Sequence, residues 1–185
     1  WYPGQQGGKA VAEILFGDYN PAGKLPVTFY RNVSQLPDFE DYNMAGRTYR
    51  YMQDVPLFPF GYGLSYTTFG YGKTVLDKNE LTAGQSLKLT VPVTNTGKRN
   101  GEEVVQVYLR KQGDAEGPIK TLRAFKRVSI PAGKTVNVEF DLKDKELEWW
   151  DDQSNTVRVC PGNYDIMVGG SSKEENLQRT TIAIK

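Results

Sequence analysis

The sequence predicts a mainly all-β protein: an immunoglobulin-like β-sandwich of about seven strands over residues 67–185, preceded by a short α/β tail (1–30) and an ordered, aromatic-rich connector (31–66). Three observations predict it. Hydrophobicity alternates with a period of two in run after run beyond Thr67. Clusters of Gly, Pro, Asn and Lys separate those runs as turns do. The connector carries too many aromatic rings for a flexible linker, which is built from Gly and Ser.

In the tail, Gly7-Gly8 precede a helical pattern that puts Ala10, Val11, Ile14 and Leu15 on one face. Gly17 is placed to end that helix, and Asn20-Pro21-Ala22-Gly23 has turn chemistry. Lys24 to Phe29 reads as a short strand, and Pro26 makes it an edge strand or a strand start. One helix and one strand cannot bury a core of their own. The tail therefore needs a partner, expected in the preceding domain of a longer polypeptide. Without it the apolar helix face should fold back on the sandwich or self-associate. The start Trp1-Tyr2-Pro3-Gly4, with no initiator Met or leader pattern, fits the same expectation of a longer chain.

The connector holds Pro37, Pro56 and Pro59 together with Phe39, Tyr42, Tyr49, Tyr51, Phe58, Phe60, Tyr62 and Tyr66. Rings of this size are costly to leave in water, so it reads as a strap packed across a domain face. Beyond it, Tyr71 to Asp77 reads as a first strand. Leu87 to Thr94, Val105 to Arg110, Val136 to Leu142, Tyr164 to Val168 and Thr181 to Ile184 each alternate apolar with polar residues. Leu122 to Ile130 is a further strand whose alternation slips near Phe125-Lys126, where a bulge is expected. Pro92 predicts an edge position or a bulge. Pro161-Gly162-Asn163-Tyr164 resembles a tyrosine corner.

Composition excludes several function classes. The 23 basic and 22 acidic residues are interspersed, the net charge is +1, and the isoelectric point is near 7.9. A nucleic-acid binder carries a basic stripe, so no nucleic-acid partner is expected. No run approaches the roughly 18 apolar residues of a membrane span. There is no histidine, which removes Ser-His-Asp, Cys-His and His-ligated metal chemistry. No cofactor or metal is expected. The single Cys160 reads as a buried structural thiol.

Several stretches resemble the C-terminal region of family 3 glycoside hydrolases. Trp1 to Gly8 and Ala10 to Phe29 are similar to the end of that family's α/β sandwich domain. Gly46-Arg47-Thr48-Tyr49-Arg50-Tyr51 and Pro59-Phe60-Gly61-Tyr62-Gly63-Leu64-Ser65-Tyr66-Thr67-Thr68-Phe69 are similar to its connector. Val93-Thr94-Asn95-Thr96-Gly97 and Leu122 to Val128 resemble its fibronectin type III-like domain. The resemblance implies a retaining β-glucosidase or β-xylosidase as parent, periplasmic or secreted, with its substrate an oligo- or polysaccharide. It places both catalytic carboxylates upstream, in the preceding domains that would be this chain's partners, so no catalytic residue is assigned within it.

A retaining glycosidase holds two carboxyls about 5–5.5 Å apart. Glu102-Glu103 and Asp151-Asp152 are adjacent, point to opposite faces in a strand, and are expected in solvent. Glu146 and Glu148 share a face if extended and are read as surface. Trp149-Trp150 is either a sugar-stacking platform or packing, with one ring in the core and the other at an interface. The substrate-proximal candidates are Asp41, Tyr42, Arg47 and Tyr49. An Arg flanked by Tyr suits a hydroxyl-rich ligand through forked donors and ring faces. The simpler role is Arg47 pinning the strap through a carboxylate, with Asp38, Glu40 or Asp41 as partner. The function expected is a non-catalytic, stabilising piece of a larger glycosidase. The alternative is a carbohydrate-binding or adhesion-type module.

Overall fold

The computed structural model describes residues 2–185. Trp1, the first residue of the quoted motif, lies outside the described residues. Three short helices and eleven strands follow one another as α1 (Gly7–Phe16), α2 (Thr48–Tyr51), β1 (Phe69–Tyr71), β2 (Val75–Leu76), β3 (Glu80–Leu81), β4 (Leu87–Asn95), β5 (Gly101–Lys111), β6 (Thr121–Ile130), β7 (Thr135–Leu142), α3 (Asp144–Leu147), β8 (Trp149–Asp151), β9 (Thr156–Arg158), β10 (Gly162–Gly169) and β11 (Gln178–Ile184).

Two sheets face each other. In the first, β4 lies between β7 on one side and β1 and β2 on the other; in the second the order is β3-β11-β10-β5-β6. Alternation dictates the layers: Leu87, Leu89, Val91 and Val93 of β4 and Val138, Phe140 and Leu142 of β7 meet Val105, Val107 and Leu109 of β5 and Tyr164, Ile166 and Val168 of β10. Each such side chain contributes about 1.5–3 kcal/mol on burial. Trp149, Leu147 and Cys160 join the same core. The tyrosine corner is present, with the Tyr164 hydroxyl donating to the Cys160 carbonyl at 2.9 Å.

Several local expectations are corrected. The segment Lys24 to Phe29 forms no strand and only one isolated bridge, Phe29 to Phe58. Pro26 has no N–H to give, so pairing with the strap is cut into two patches: Leu25 N–H to the Tyr62 carbonyl at 2.8 Å, and Phe29 N–H to the Phe58 carbonyl at 2.9 Å. The first sandwich strand is split into β1 and β2. Pro92 lies in a central strand, opposite Asn137 of β7, at the gap between β1 and β2. Its carbonyl accepts from Gly72 N–H at 2.8 Å on the side where its own N–H is missing. The bulge expected near Phe125-Lys126 falls two residues earlier, with the β5–β6 register slipping at Arg123, since Val107 pairs with Ala124 and Tyr108 with Leu122.

Alternation also understates the burial of the second sheet. Gln106 and Tyr108 of β5 and Asp165 and Met167 of β10 point away from the core, yet all four are buried. For the β5 pair the strap supplies the cover. Tyr49 meets Tyr108 edge-on at 5.9 Å and stacks on Phe60 at 4.3 Å. The Tyr108 hydroxyl donates to Gln106 Oε1, whose Nε2 donates to the Gly170 carbonyl. Burial pushes the Tyr108 phenol well above its usual range. Gly61 has φ of +80°, and a Cβ there would stand 2.3 Å from Gln106 Oε1, so only glycine fits the crossing.

Candidate functional site

The four candidate residues separate into a loop tip and an anchor. Asp41 Oδ1 accepts from both the backbone N–H and the side-chain amide of Asn43, at 2.9 and 2.8 Å. Those bonds, with Arg47 nearby, hold its carboxyl below the usual carboxylate range. Asp41 is therefore an acceptor at neutral pH; a general acid needs a raised pKa.

Arg47 does not pair with Asp38, Glu40 or Asp41 through a carboxylate, as the simpler reading expected. Its Nε donates to the Asn43 carbonyl at 2.8 Å, and its Nη2 to the Asp41 carbonyl. The planar fork matches two converging carbonyls of one tight loop. Tyr42 sits at the tip of that loop and is 89% exposed, as Phe39 is 94% exposed. This half of the connector is not packed on the sandwich, contrary to the strap reading. Its neighbours along the chain are shaped by polar turn bonds (Asp38 Oδ1 to Glu40 N–H, Asp41 N–H to the Asp38 carbonyl), which leave the rings outside.

Tyr49 lies on the far side of Thr48, whose φ of +56° turns the chain sharply. Thr48 N–H donates to the Tyr30 hydroxyl and Tyr49 N–H to Thr28 Oγ1. The Tyr49 hydroxyl accepts from Leu122 N–H at 3.1 Å. Tyr49 is thus engaged in packing, and the structure does not bring it to the Asp41–Arg47 loop tip. Between that loop and the β5–β6 turn runs an open groove of about 610 Å³, lined among others by Gly46, Tyr51, Asp54, Arg110 and Glu116. No motif announced it, because its two walls are about 60 residues apart in sequence.

The paired acids resolve differently from one another. Glu102 pairs with Arg127 in solvent, as expected of a surface acid. Glu103 is only 5% exposed, which corrects the solvent reading. It receives Lys24 Nζ at 2.9 Å and the Tyr71 hydroxyl at 3.2 Å, tying the tail to the sandwich. Asp151 holds Arg158 and Ser154 within the β8–β9 hairpin. Glu146 accepts from Lys143 N–H at 3.0 Å across the first turn of α3, so it is not extended alongside Glu148. Trp149 is in the core, its Nε1 donating to Asp114 Oδ2 at 2.6 Å. Trp150 is half exposed. No group of three or more metal-ligating side chains occurs among the described residues, and no helix there is long and apolar enough to cross a membrane.

The surface is asymmetric. Of 21 exposed large hydrophobic side chains among the described residues, 17 belong to residues 2–66. On α1, Val11, Leu15 and Phe16 are exposed, so the helix face does not fold back on the sandwich. Among the described residues the helix is held near its end, by Tyr66 hydroxyl to the Ile14 carbonyl at 2.6 Å and Arg99 to the Gly17 carbonyl at 3.1 Å. Gly17 stops it with φ of +81°.

Comparison with known proteins gives two family matches. Residues 1–66 match the glycosyl hydrolase family 3 C-terminal domain, and residues 103–172 the fibronectin type III-like domain. The chain is 54% identical to a xylan 1,4-beta-xylosidase of Xylanibacter ruminicola, covering all of this chain and 21% of that protein. It is 37% identical to a periplasmic beta-glucosidase of Salmonella typhimurium, over 93% of this chain and 24% of the relative. A solved β-glucosidase from Erythrobacter marinus superposes with a TM-score of 0.84 at 41% identity, over 100% of this chain and 24% of its own. A β-glucosidase from Listeria innocua in complex with glucose gives 0.81 at 30% identity, over 100% and 27%. The chain thus spans about a fifth to a quarter of the curated relatives it matches.

Proposed function

This chain belongs to the C-terminal region of glycosyl hydrolase family 3, and from that premise we propose that it is the non-catalytic, stabilising piece of a retaining glycosidase acting on β-linked xylosides or glucosides. The observation that carries this reading is the asymmetry of its surface. Among the described residues the sandwich leaves only Val75, Phe125, Trp150 and Val157 of its large apolar side chains exposed, whereas residues 2–66 leave Val11, Leu15, Phe16, Val27, Phe29 and others in solvent. A patch of that kind marks a protein-protein surface. Its partner is a preceding catalytic domain of the same polypeptide. The tail and strap carry that domain on one side and grip the sandwich on the other, through Lys24–Glu103, Asn20 and Tyr49.

Within this reading the loop from Asp41 to Arg47 is the part that faces substrate. Arg47 fixes the loop backbone, and Tyr42 offers a free ring face and hydroxyl to a sugar. Tyr49 supports the loop from behind as an anchor.

The test is direct. Pure chain of residues 1–185 should turn over neither 4-nitrophenyl β-xyloside nor 4-nitrophenyl β-glucoside, while the polypeptide that includes the preceding domains should. The same longer polypeptide lacking residues 67–185 should unfold at lower temperature. Clear hydrolysis by the chain alone defeats the proposal. Heat of binding with xylan, abolished by Trp150→Ala, would instead favour a carbohydrate-binding module.

A further inference from the structure

Four side-chain polar atoms among the described residues are buried without a hydrogen-bond partner: Arg50 Nε, Arg123 Nε, Thr121 Oγ1 and Thr74 Oγ1. Three of the four belong to one junction, where α2 runs along the edge strand β6. The backbone fixes that junction. Ile119 N–H donates to the Arg50 carbonyl at 2.6 Å, and Leu122 N–H to the Tyr49 hydroxyl at 3.1 Å.

The Arg50 guanidinium lies over the Tyr51 ring at 5.4 Å. It makes no side-chain hydrogen bond or ion pair with any described residue. The Arg123 guanidinium lies over Trp149 at 5.6 Å and gives one N–H to the Glu148 carbonyl. No carboxylate of the described residues forms an ion pair with either. Burial first, and then the charge of Arg50, lower the pKa of Arg123.

Two guanidinium groups held near each other, with part of their donor forks dry and unused, is an unfavourable arrangement unless a counter-charge completes it. The bulge at Arg123 interrupts the alternation of β6, and that side chain lies over Trp149 with the Arg50 charge nearby. A neutral hydroxyl offsets none of the charge, whereas a planar carboxylate matches the fork and can accept from a threonine hydroxyl as well. We propose that Arg50, Thr121 and Arg123 form a socket for a carboxylate. The carboxylate comes either from an acidic side chain of a domain packed against the strap or from an acidic sugar. The socket does not depend on the docking reading, because its first test uses this chain alone.

Sodium glucuronate is titrated into the 185-residue chain, with sodium chloride at equal ionic strength as control. Arginine Nε–H resonances and thermal unfolding are followed. The Arg50 and Arg123 signals should shift saturably with glucuronate only, and the midpoint should rise by about 3 °C at saturation. Arg50→Met should abolish the shift and raise the midpoint of the free chain, since it removes one of two unpaired charges. Thr121→Val, which keeps the strap intact, should weaken glucuronate binding about fivefold. In the polypeptide with the preceding domains, signals already shifted and insensitive to glucuronate identify a protein carboxylate; a retained response identifies the sugar. If glucuronate shifts neither signal in this chain and Arg50→Met lowers its midpoint, Arg50 only pins the strap and the socket is overturned.

Discussion

The carboxylate of Glu103, inside the second sheet, holds the ammonium of Lys24, in the tail, at 2.9 Å. This one pair joins the two regions matched by different family models. Both side chains are largely out of water, and Tyr71 adds a hydroxyl from β1. Burial and the Glu103 charge push the Tyr71 phenol well above its usual range, so it remains a donor.

Breaking the pair should therefore be expensive. Glu103→Ala leaves Lys24 and Tyr71 without their acceptor and should cost about 3 kcal/mol in urea unfolding. Replacing both charges, Lys24→Met with Glu103→Leu, should recover much of that. A single variant within about 0.5 kcal/mol of the parent would show the contact to be incidental.

Tyr49 offers two separable contributions. Tyr49→Phe keeps the stack on Phe60 but strands Leu122 N–H, and should cost about 1 kcal/mol. Tyr49→Ala also loses the ring and should cost about 3 kcal/mol. Hydrogen exchange in Tyr49→Ala should then speed up in residues 57–62 before it does in β4. Equal losses for the two variants would mean that the ring contributes nothing.

Tyr42 should behave in the opposite way. Its ring is exposed, so Tyr42→Ala should change stability by less than about 0.5 kcal/mol. In the polypeptide with the preceding domains it should raise KM several-fold and leave kcat nearly unchanged. An unchanged KM removes Tyr42 from the substrate path.

The hairpin of β8 and β9 should carry an acid-sensitive element. The Ser154 hydroxyl and then Arg158 lower the Asp151 pKa from 3.8 to about 2. The folded value lies below the unfolded one, so the stabilisation is complete above about pH 4 and is lost as pH falls through about 2. Asp151→Asn should remove that part of the pH dependence, read from unfolding midpoints between pH 5 and 2. The same midpoint loss in wild type and variant would assign the effect to other carboxylates.

Cys160 and Tyr164 give a check on the corner. Tyr164→Phe should cost about 1 kcal/mol. The Cys160 thiol, buried against Trp149, should react with a thiol reagent only at the rate of opening, and faster in Tyr164→Phe. Immediate labelling of the native chain would contradict the packing.

What the sequence makes legible follows from the range of the interactions involved. The period-two runs define β4, β5, β7, β10 and β11 because each residue's facing is decided by its own strand. The division of Trp149 from Trp150 follows from the same rule. Facing toward a covering segment is another matter. Gln106 and Tyr108 look solvent-bound in the pattern, and they are buried because residues near Tyr49 and Phe60 arrive from far upstream. Glu103 is misread for the same reason, since Lys24 reaches it from the tail. The failed strand at Lys24 to Phe29 shows the local side: a single proline halves the ladder that hydrophobicity alone would allow. Of the candidate site, the loop residues were visible as a cluster of Arg and Tyr, but which of them reach solvent depends on carbonyl contacts that leave no trace in composition. The groove at Tyr51 and Arg110, and the unpaired Arg50 and Arg123, had no local signature.

One of the two outer strands of the second sheet, β6, pairs only with β5 among the described residues, and an unguarded border of this sort recruits other polypeptides into fibrous assemblies. Here the register slip at Arg123 crooks the border, the Tyr49 hydroxyl plugs the Leu122 N–H, and Lys126 sets a positive charge along the remainder. The strap that holds the molecule together thus also acts as its gatekeeper against runaway polymerisation.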